Sequence, residues 1–191
     1  MTSQVGLICS TWTTTRASVG KFRRNITAAS LTKNKPMRIL LALIAGILAS
    51  STASAANFDW KTRFSEGLVD AEGKTVDTAT LAGKYVAVYH SAHWCPPCKA
   101  FTPKLVDFAN AHKDKLAVVF VSYDKSAADM SSYMTETKMP WAAVPYRAPS
   151  GKKNADENGV KGIPALIVYG PDGALLTKSG RDLAAVEKLL K

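Results

Sequence analysis

From Ala56 onward, short apolar runs alternate with stretches whose apolar residues recur at helical spacing. The β-branched and aromatic runs predict buried strands, and apolar positions three and four residues apart predict helices. The strands are predicted at 68–70, 75–76, 85–90, 116–121, 165–169 and 174–178. The helices are predicted at 96–112, 126–138 and 154–158, with a closing helix that begins at Asp182. This order predicts an α/β fold with a mixed central β-sheet sandwiched between helices.

Turn residues separate these elements and set the boundaries of one domain. A turn over 71–74 with Gly73 joins the first two strands, and Pro171-Asp172-Gly173 begins a terminal hairpin. Ser126 has the residue type preferred at a helix N-cap. No repeat or low-complexity segment interrupts the pattern, so residues 56–191 form one domain of ordinary length.

The leader, residues 1–55, differs from the rest of the chain. The formal net charge of the 191 residues is +10, but the leader holds seven cations and no carboxylate, which leaves a net charge of +3 from Ala56 onward. Those later charges are mixed in sign, so nucleic-acid binding is not expected. Residues 37–55 carry the basic, apolar and small-residue parts of a secretory signal peptide, with predicted cleavage after Ala55. An uncleaved membrane anchor is the alternative, although its apolar run is short for a span.

Residues 1–36 are rich in Ser and Thr and lack acids. One interpretation is that the start codon has been assigned too far upstream, so that translation begins at Met37 and residues 1–36 are never made. The alternative is an organelle transit peptide. The expectation is an exported, periplasmic or otherwise extracytoplasmic protein.

Two of the three cysteines form the segment Trp94-Cys95-Pro96-Pro97-Cys98 between a predicted strand and the long helix. A helix N-terminus stabilises a thiolate at Cys95, and Cys98 returns to nearly the same face within disulfide reach. Prolines are favourable just inside a helix start. The pair is therefore interpreted as a redox-active dithiol that exchanges with substrate disulfides.

A cysteine pair with this spacing has three other possible uses. A structural disulfide would close an unusually short loop, and a zinc site would need two further ligands that the chain does not space correctly, so no metal is expected. Haem attachment would need His where Lys99 stands. Trp94 is expected at the rim of the site, and Ile163-Pro164 before a strand is equally compatible with a cis or a trans bond.

These motifs resemble the thioredoxin-fold proteins, and most closely the tryparedoxin/nucleoredoxin branch. The resemblance covers roughly 68–190 and rests on the cysteine segment with its preceding Ser91-Ala92-His93, on Phe101-Thr102-Pro103, and on 139–146, Met-Pro-Trp-Ala-Ala-Val-Pro-Tyr. It implies a thioredoxin fold in which Cys95 is an exposed nucleophile and Cys98 a buried resolving thiol.

The resemblance also implies a substrate surface. Ile163 would offer its backbone to a substrate beside a cis Pro164, and Trp94 and Trp141 would line the docking surface; Pro96 and Pro97 are assigned to the same surface. Tyr89 stands where many thioredoxins carry a buried Asp, and His93 replaces a small residue of the branch. Both are candidates for tuning the pKa of the cysteines.

The predicted function is a thiol-disulfide oxidoreductase that reduces extracytoplasmic disulfides without a cofactor. An oxidase or isomerase of exported proteins and a non-catalytic binding module are the alternatives. The expected partners are protein or small-molecule disulfides and an upstream thiol reductant, for which a membrane thiol-relay protein is suitable. The chain is expected to act as a monomer.

Overall fold

The structure, a computed structural model, describes residues 58–191. The predicted leader and signal peptide, residues 1–55, lie outside the described residues. The strands are β1 (Leu68–Val69), β2 (Thr75–Val76), β3 (Tyr85–Ser91), β4 (Leu116–Ser122), β5 (Ala142–Ala143), β6 (Ala165–Tyr169) and β7 (Leu175–Thr177). The α-helices are α1 (Pro96–Ala111), α2 (Ala127–Glu136), α3 (Pro149–Asn158) and α4 (Leu183–Glu187), and short 3-10 helices cover Trp60–Thr62 and Thr78–Leu81.

The seven strands form one mixed sheet in the order β2-β1-β5-β4-β3-β6-β7. β4 pairs in parallel with both β3 and β5, whereas β6 runs antiparallel to β3. The carboxyl ends of β3, β4 and β5 therefore lie at the same edge of the sheet as the start of β6. The cysteine segment follows β3 at this edge, which we call the carboxyl edge.

Each face of the sheet carries its own apolar core. On one face, Leu105 of α1, Tyr133 of α2 and Val186 of α4 pack in one buried cluster with sheet residues such as Phe120. On the other face, Trp60, Phe64 and the second 3-10 helix pack against a second set of strand residues. Alternation of side chains along β3 and β4 supplies both cores, as expected for central strands covered on both faces. The predicted α/β sandwich with a mixed sheet is thus confirmed.

The sequence pattern placed most elements correctly and missed three. The helix predicted at 154–158 begins earlier, at Pro149, because a proline is well accommodated in the first turn of a helix. The 3-10 helices and the two-residue β5 were not predicted, since such short segments have no measurable periodicity. Ser126 is the N-cap of α2, as predicted, and its hydroxyl accepts a hydrogen bond from the Asp129 amide at 3.0 Å. Among the described residues, no helix has the length and apolar character needed to span a bilayer.

Candidate active site

A disulfide joins Cys95 and Cys98 at the start of α1, with their Cα atoms 5.2 Å apart. Cys95 is the N-cap, and Pro96 and Pro97 occupy the first helical positions. Because neither proline has an amide N–H, the first main-chain donor of the helix belongs to Cys98. The segment therefore lies where the sequence placed it, with the two cysteines within bonding distance.

The disulfide is more enclosed than the sequence suggested for Cys95. Cys98 is fully buried, and Cys95 is only 4% exposed in this oxidised form. Both pack with Ala92, and Ile163 covers them. Trp94 is exposed at 56%, and the two prolines are exposed as well. The surface around the disulfide is thus an apolar rim of Trp94, Pro96 and Pro97.

The peptide bond between Ile163 and Pro164 is cis, which decides the alternative that the sequence left open. The carbonyl oxygen of Ile163 lies 3.8 Å from Cys95 Sγ. This carbonyl can accept a hydrogen bond from the Cys95 thiol once the disulfide is reduced. Ile163 and the cis bond to Pro164 are therefore brought to Cys95, where the resemblance placed them.

The loop after β4 holds the segment that precedes Cys95. The His93 amide donates to Asp124 Oδ1 at 2.7 Å, and the Trp94 indole donates to the Tyr123 carbonyl at 2.9 Å. The second carboxylate oxygen of Asp124 accepts from Ser122 Oγ at 2.8 Å. Two residues in a row are thus fixed by the neighbouring strand's loop, which limits where Cys95 can lie.

Beneath Cys98 lies a hydroxyl cluster made of Tyr89, Ser91, Thr102 and Tyr133, all fully buried. Thr102 Oγ1 donates to the Cys98 carbonyl at 2.9 Å and is 2.8 Å from the Tyr89 hydroxyl and 2.5 Å from that of Tyr133. Ser91 Oγ donates to the Tyr89 hydroxyl at 2.9 Å. The cluster ties β3, α1 and α2 together directly below Cys98.

Tyr89 remains a neutral hydroxyl in this cluster. Burial raises the pKa of Tyr89 well above its ordinary value, and the hydrogen bonds from Ser91 and with Thr102 oppose this shift only in part. No carboxylate belongs to the hydroxyl cluster. The position that resembles a thioredoxin aspartate therefore supplies a positioned hydroxyl instead of a charged base.

His93 is directed to α2. Its Nε2 lies 2.9 Å from Glu136 Oε2, and its ring stacks on Tyr133 with centroids 5.3 Å apart. These contacts connect His93 to the hydroxyl cluster through the Tyr133 ring. A direct effect of His93 on Cys95 stays a prediction.

Trp141 is not brought to the disulfide. It is 9% exposed and belongs to the core cluster on the α1 face. It precedes β5, whose residue Ala142 pairs with Val119 in the middle of β4, and it lines a cavity with Lys113 and Leu116 near the start of that strand. The expectation that Trp141 lines the docking surface is therefore replaced by a core role, because a tryptophan at a strand start can face inward.

A second buried polar network, on the other face of β3, was not foreseen from the sequence. His90 Nε2 is 2.9 Å from Asn154 Oδ1, and Asn154 donates to the Tyr169 hydroxyl at 2.9 Å. Burial lowers the pKa of His90 to about 4, and the Asn154 contact opposes this in part. The signal available in the sequence was a histidine inside an otherwise apolar strand. Within residues 58–191, no three His, Cys, Asp or Glu side chains are grouped so as to hold a metal ion.

Comparison with known proteins agrees with this geometry. A family model described as thioredoxin-like matches residues 83–175. Bovine nucleoredoxin is 39% identical over 118 residues, which cover 60% of this chain and 27% of that protein. The chain thus spans about a quarter of the length of the bovine relative.

Solved structures match over most of their own length. A tryparedoxin II complexed with glutathionylspermidine is 34% identical, with a TM-score of 0.60 and coverage of 69% of this chain and 94% of that one. A thioredoxin from Wuchereria bancrofti is 38% identical, with a TM-score of 0.56 and coverage of 64% and 92%. The chain therefore belongs to the thioredoxin-like family, as a redox protein with nucleoredoxins and tryparedoxins as relatives.

Proposed function

We propose that this protein is a protein-disulfide reductase that exchanges its Cys95/Cys98 dithiol with disulfides of extracytoplasmic substrates. The observation that carries the proposal is the Cys95–Cys98 disulfide at the N-terminus of α1, beside the cis Ile163–Pro164 bond. This arrangement exposes an apolar rim to a substrate and keeps the second sulfur buried. Such a pair favours exchange with a bound disulfide over reaction with solvent oxidants.

Reduction of a substrate proceeds in two exchanges. The Cys95 thiolate attacks one sulfur of the substrate disulfide, which forms a mixed disulfide and releases the other sulfur as a thiolate that takes up a proton. Cys98, after losing its proton, attacks Cys95 Sγ, forms the Cys95–Cys98 bond and releases the second substrate thiolate. Two electrons pass from the dithiol to the substrate, and the protein ends in the oxidised form described above.

The surrounding residues have distinct tasks in this scheme. The Cys98 amide, the first free donor of the helix, stabilises the Cys95 thiolate together with the helix dipole. The Ile163 carbonyl holds the Cys95 thiol in the resting dithiol form. Asp124 and Tyr123 keep the cysteine segment in place through His93 and Trp94. Trp94, Pro96, Pro97, Ile163 and Pro164 form the surface against which a substrate lies.

The partners proposed for this reaction are disulfides of proteins or small molecules. The structure of tryparedoxin II in complex with glutathionylspermidine supports a small-molecule partner for that relative. The cycle needs no bound cofactor, because the cysteine pair carries both electrons. An upstream thiol reductant, such as a membrane thiol-relay protein, would restore the dithiol, and a monomer suffices for every step.

The direction of electron flow is tested by the reduction potential of the Cys95/Cys98 pair. We expect a reduction potential of about −270 mV, the value typical of thioredoxin. It is measured in glutathione or dithiothreitol redox buffers on a Cys9→Ser chain, so that Cys95 and Cys98 are the only cysteines that react. A value near about −120 mV would instead indicate an oxidase of exported proteins.

Catalysis itself is tested by trapping. A Cys98→Ser variant should accumulate mixed disulfides at Cys95, because the resolving sulfur is missing, and a Cys95→Ser variant serves as the matched control. If neither insulin reduction by the parent chain nor a trapped mixed disulfide is observed, a non-catalytic binding module is the correct function.

Export is a separate part of the proposal. Residues 37–55 should direct the chain across a membrane and be removed after Ala55. N-terminal sequencing of the chain recovered from its native compartment tests this. An N-terminus upstream of Ala56 would contradict cleavage, and recovery from the cytosol would contradict export.

A further inference from the structure

The carboxyl edge also carries a pocket of about 240 Å³, on the face of the sheet opposite α1, that the scheme above does not use. We call it the edge pocket; its walls include Val121, Tyr123, Val144, Arg147, Ala148 and Lys152. Tyr123 links it to the active site, because the Tyr123 carbonyl accepts the hydrogen bond of the Trp94 indole. The edge pocket is thus connected to the cysteine segment through Tyr123 and Trp94.

Two cations stand at this pocket, and one of them has no carboxylate partner. Lys152 pairs with Asp156 one turn further along α3. Arg147 takes part in none of the ion pairs between the described residues, and its guanidinium lies 5.2 Å from the centre of the Tyr146 ring. An exposed guanidinium held on an aromatic ring presents its N–H groups to a ligand.

The backbone at Arg147 is also unusual, because its φ angle is +59°. A non-glycine residue in this left-handed region carries a conformational cost, and such residues gather at ligand sites. The preceding turn is closed by a hydrogen bond from the Ala148 amide to the Pro145 carbonyl at 2.9 Å. The left-handed backbone at Arg147 therefore belongs to a defined turn at the mouth of the edge pocket.

The dimensions of the sheet set how far the pocket lies from the reacting cysteine. Neighbouring strands are about 4.8 Å apart, and the pocket lies at the ends of β4 and β5, up to two strands from β3. An extended peptide advances about 3.3 Å per residue, so about three residues cover this lateral distance of roughly 10 Å. A substrate whose cysteine meets Cys95 can therefore place a side chain in the pocket while its chain crosses Trp94.

We propose that the edge pocket binds an acidic side chain, about three residues from the cysteine of a protein substrate, through Arg147 and Lys152. The inference rests on the proposed function and adds a substrate preference to it. The apolar walls from Val121 and Val144 accommodate the methylene groups of a Glu side chain, and the guanidinium binds its carboxylate through paired N–H donors. A neutral amide at the same position would lose the charge attraction.

The test compares short blocked peptides whose central cysteine carries a 2-thiopyridyl disulfide. They differ by Glu or Gln placed three residues before or after the cysteine. The dithiol form of the full Cys9→Ser chain is used, and release of 2-thiopyridone gives the second-order rate constants. We expect the Glu peptide to react about fivefold faster than its Gln counterpart for one of the two placements, and this ratio to fall at high salt.

The variant Arg147→Gln should bring the Glu-to-Gln ratio of rates to about one, and Arg147→Lys should restore part of it. Lys153→Gln is the matched control, since Lys153 is the neighbouring cation of α3 and lines a different pocket, so its ratio should equal that of the parent. Equal rates for Glu and Gln at both placements, or a preference that survives Arg147→Gln, would overturn the proposal. A chain that releases no 2-thiopyridone from any peptide would contradict the proposed function and the substrate preference together.

Discussion

Replacing Thr102 by Val removes the central group of the hydroxyl cluster without changing the shape of the side chain. The Thr102 hydroxyl donates to the Cys98 carbonyl and lies within 2.8 Å of the hydroxyls of Tyr89 and Tyr133. After the substitution, Ser91 still reaches both tyrosines, and Tyr89 can turn to the Cys98 carbonyl 3.5 Å away. The Tyr133 hydroxyl then keeps only its longer contact with Ser91 Oγ, at 3.2 Å, in place of the 2.5 Å contact with Thr102.

The hydrogen bonds lost in Thr102→Val determine how much stability the protein loses. Each of the three hydrogen bonds of the Thr102 hydroxyl contributes about 0.5–1.5 kcal/mol, and the longer contacts that remain replace them only in part. We therefore expect Thr102→Val to lower the free energy of unfolding by about 2–4 kcal/mol. Reversible urea unfolding of the oxidised protein measures this change, provided that the dependence on urea concentration stays the same.

Thr135→Val provides the matched control. Thr135 is an exposed helix residue whose hydroxyl donates to the Ser131 carbonyl at 3.0 Å, so the same change of atoms occurs there in water. Its effect should remain within about 0.5 kcal/mol. A loss below about 1 kcal/mol for Thr102→Val, or equal losses for the two variants, would refute the view that the cluster is dry and mutually satisfied.

Three other predictions concern separate parts of the site. The folded-state pKa of His90 is about 4 and its ordinary value is 6.5, so the unfolded chain binds more protons between these pH values. Acidification from pH 6.5 to 4 should therefore lower the free energy of unfolding by about 3 kcal/mol. In His90→Gln, the free energy of unfolding measured in urea should vary less with pH over this range. Pro97→Ala adds an amide donor near Cys95 and should make the reduction potential more oxidising by about 30 mV, whereas an unchanged potential would contradict a role for the missing donors. Asp124→Ala leaves the His93 amide without its acceptor, so hydrogen exchange of that amide should accelerate at least about tenfold, and unchanged exchange would show that the loop is held elsewhere.

The sequence was sufficient for the parts of the site that lie close together along the chain. The cysteine segment, its place after β3 and the start of α1 at Pro96 all follow from local pattern and helix-capping rules. Ile163 and Pro164 are distant in sequence, yet a proline before a strand made a special peptide bond a definite alternative. Local pattern alone did not distinguish the cis from the trans isomer.

The contacts between distant segments could not be predicted in the same way. The hydroxyl cluster joins side chains from β3, α1 and α2, and each of them alone is an ordinary hydroxyl in a strand or helix. Its only local signals are the alternation that places Tyr89 and Ser91 on one face and the spacing of four residues from Cys98 to Thr102. Trp141 was misplaced for the same reason, since the aromatic residue of a motif can point to solvent or to the core.

Hydrogen bonds hold β3 along both of its edges and on both faces of the sheet. Its backbone is bonded along one edge to β4 and along the other to β6, while Tyr89 and His90 engage opposite polar networks above and below the sheet. Translation, tilting or rolling of the strand would each break a different set of these bonds. The strand therefore keeps its position when the cysteines are oxidised or reduced. We expect any conformational change between the dithiol and the disulfide to be confined to the residues from Ala92 to Cys98.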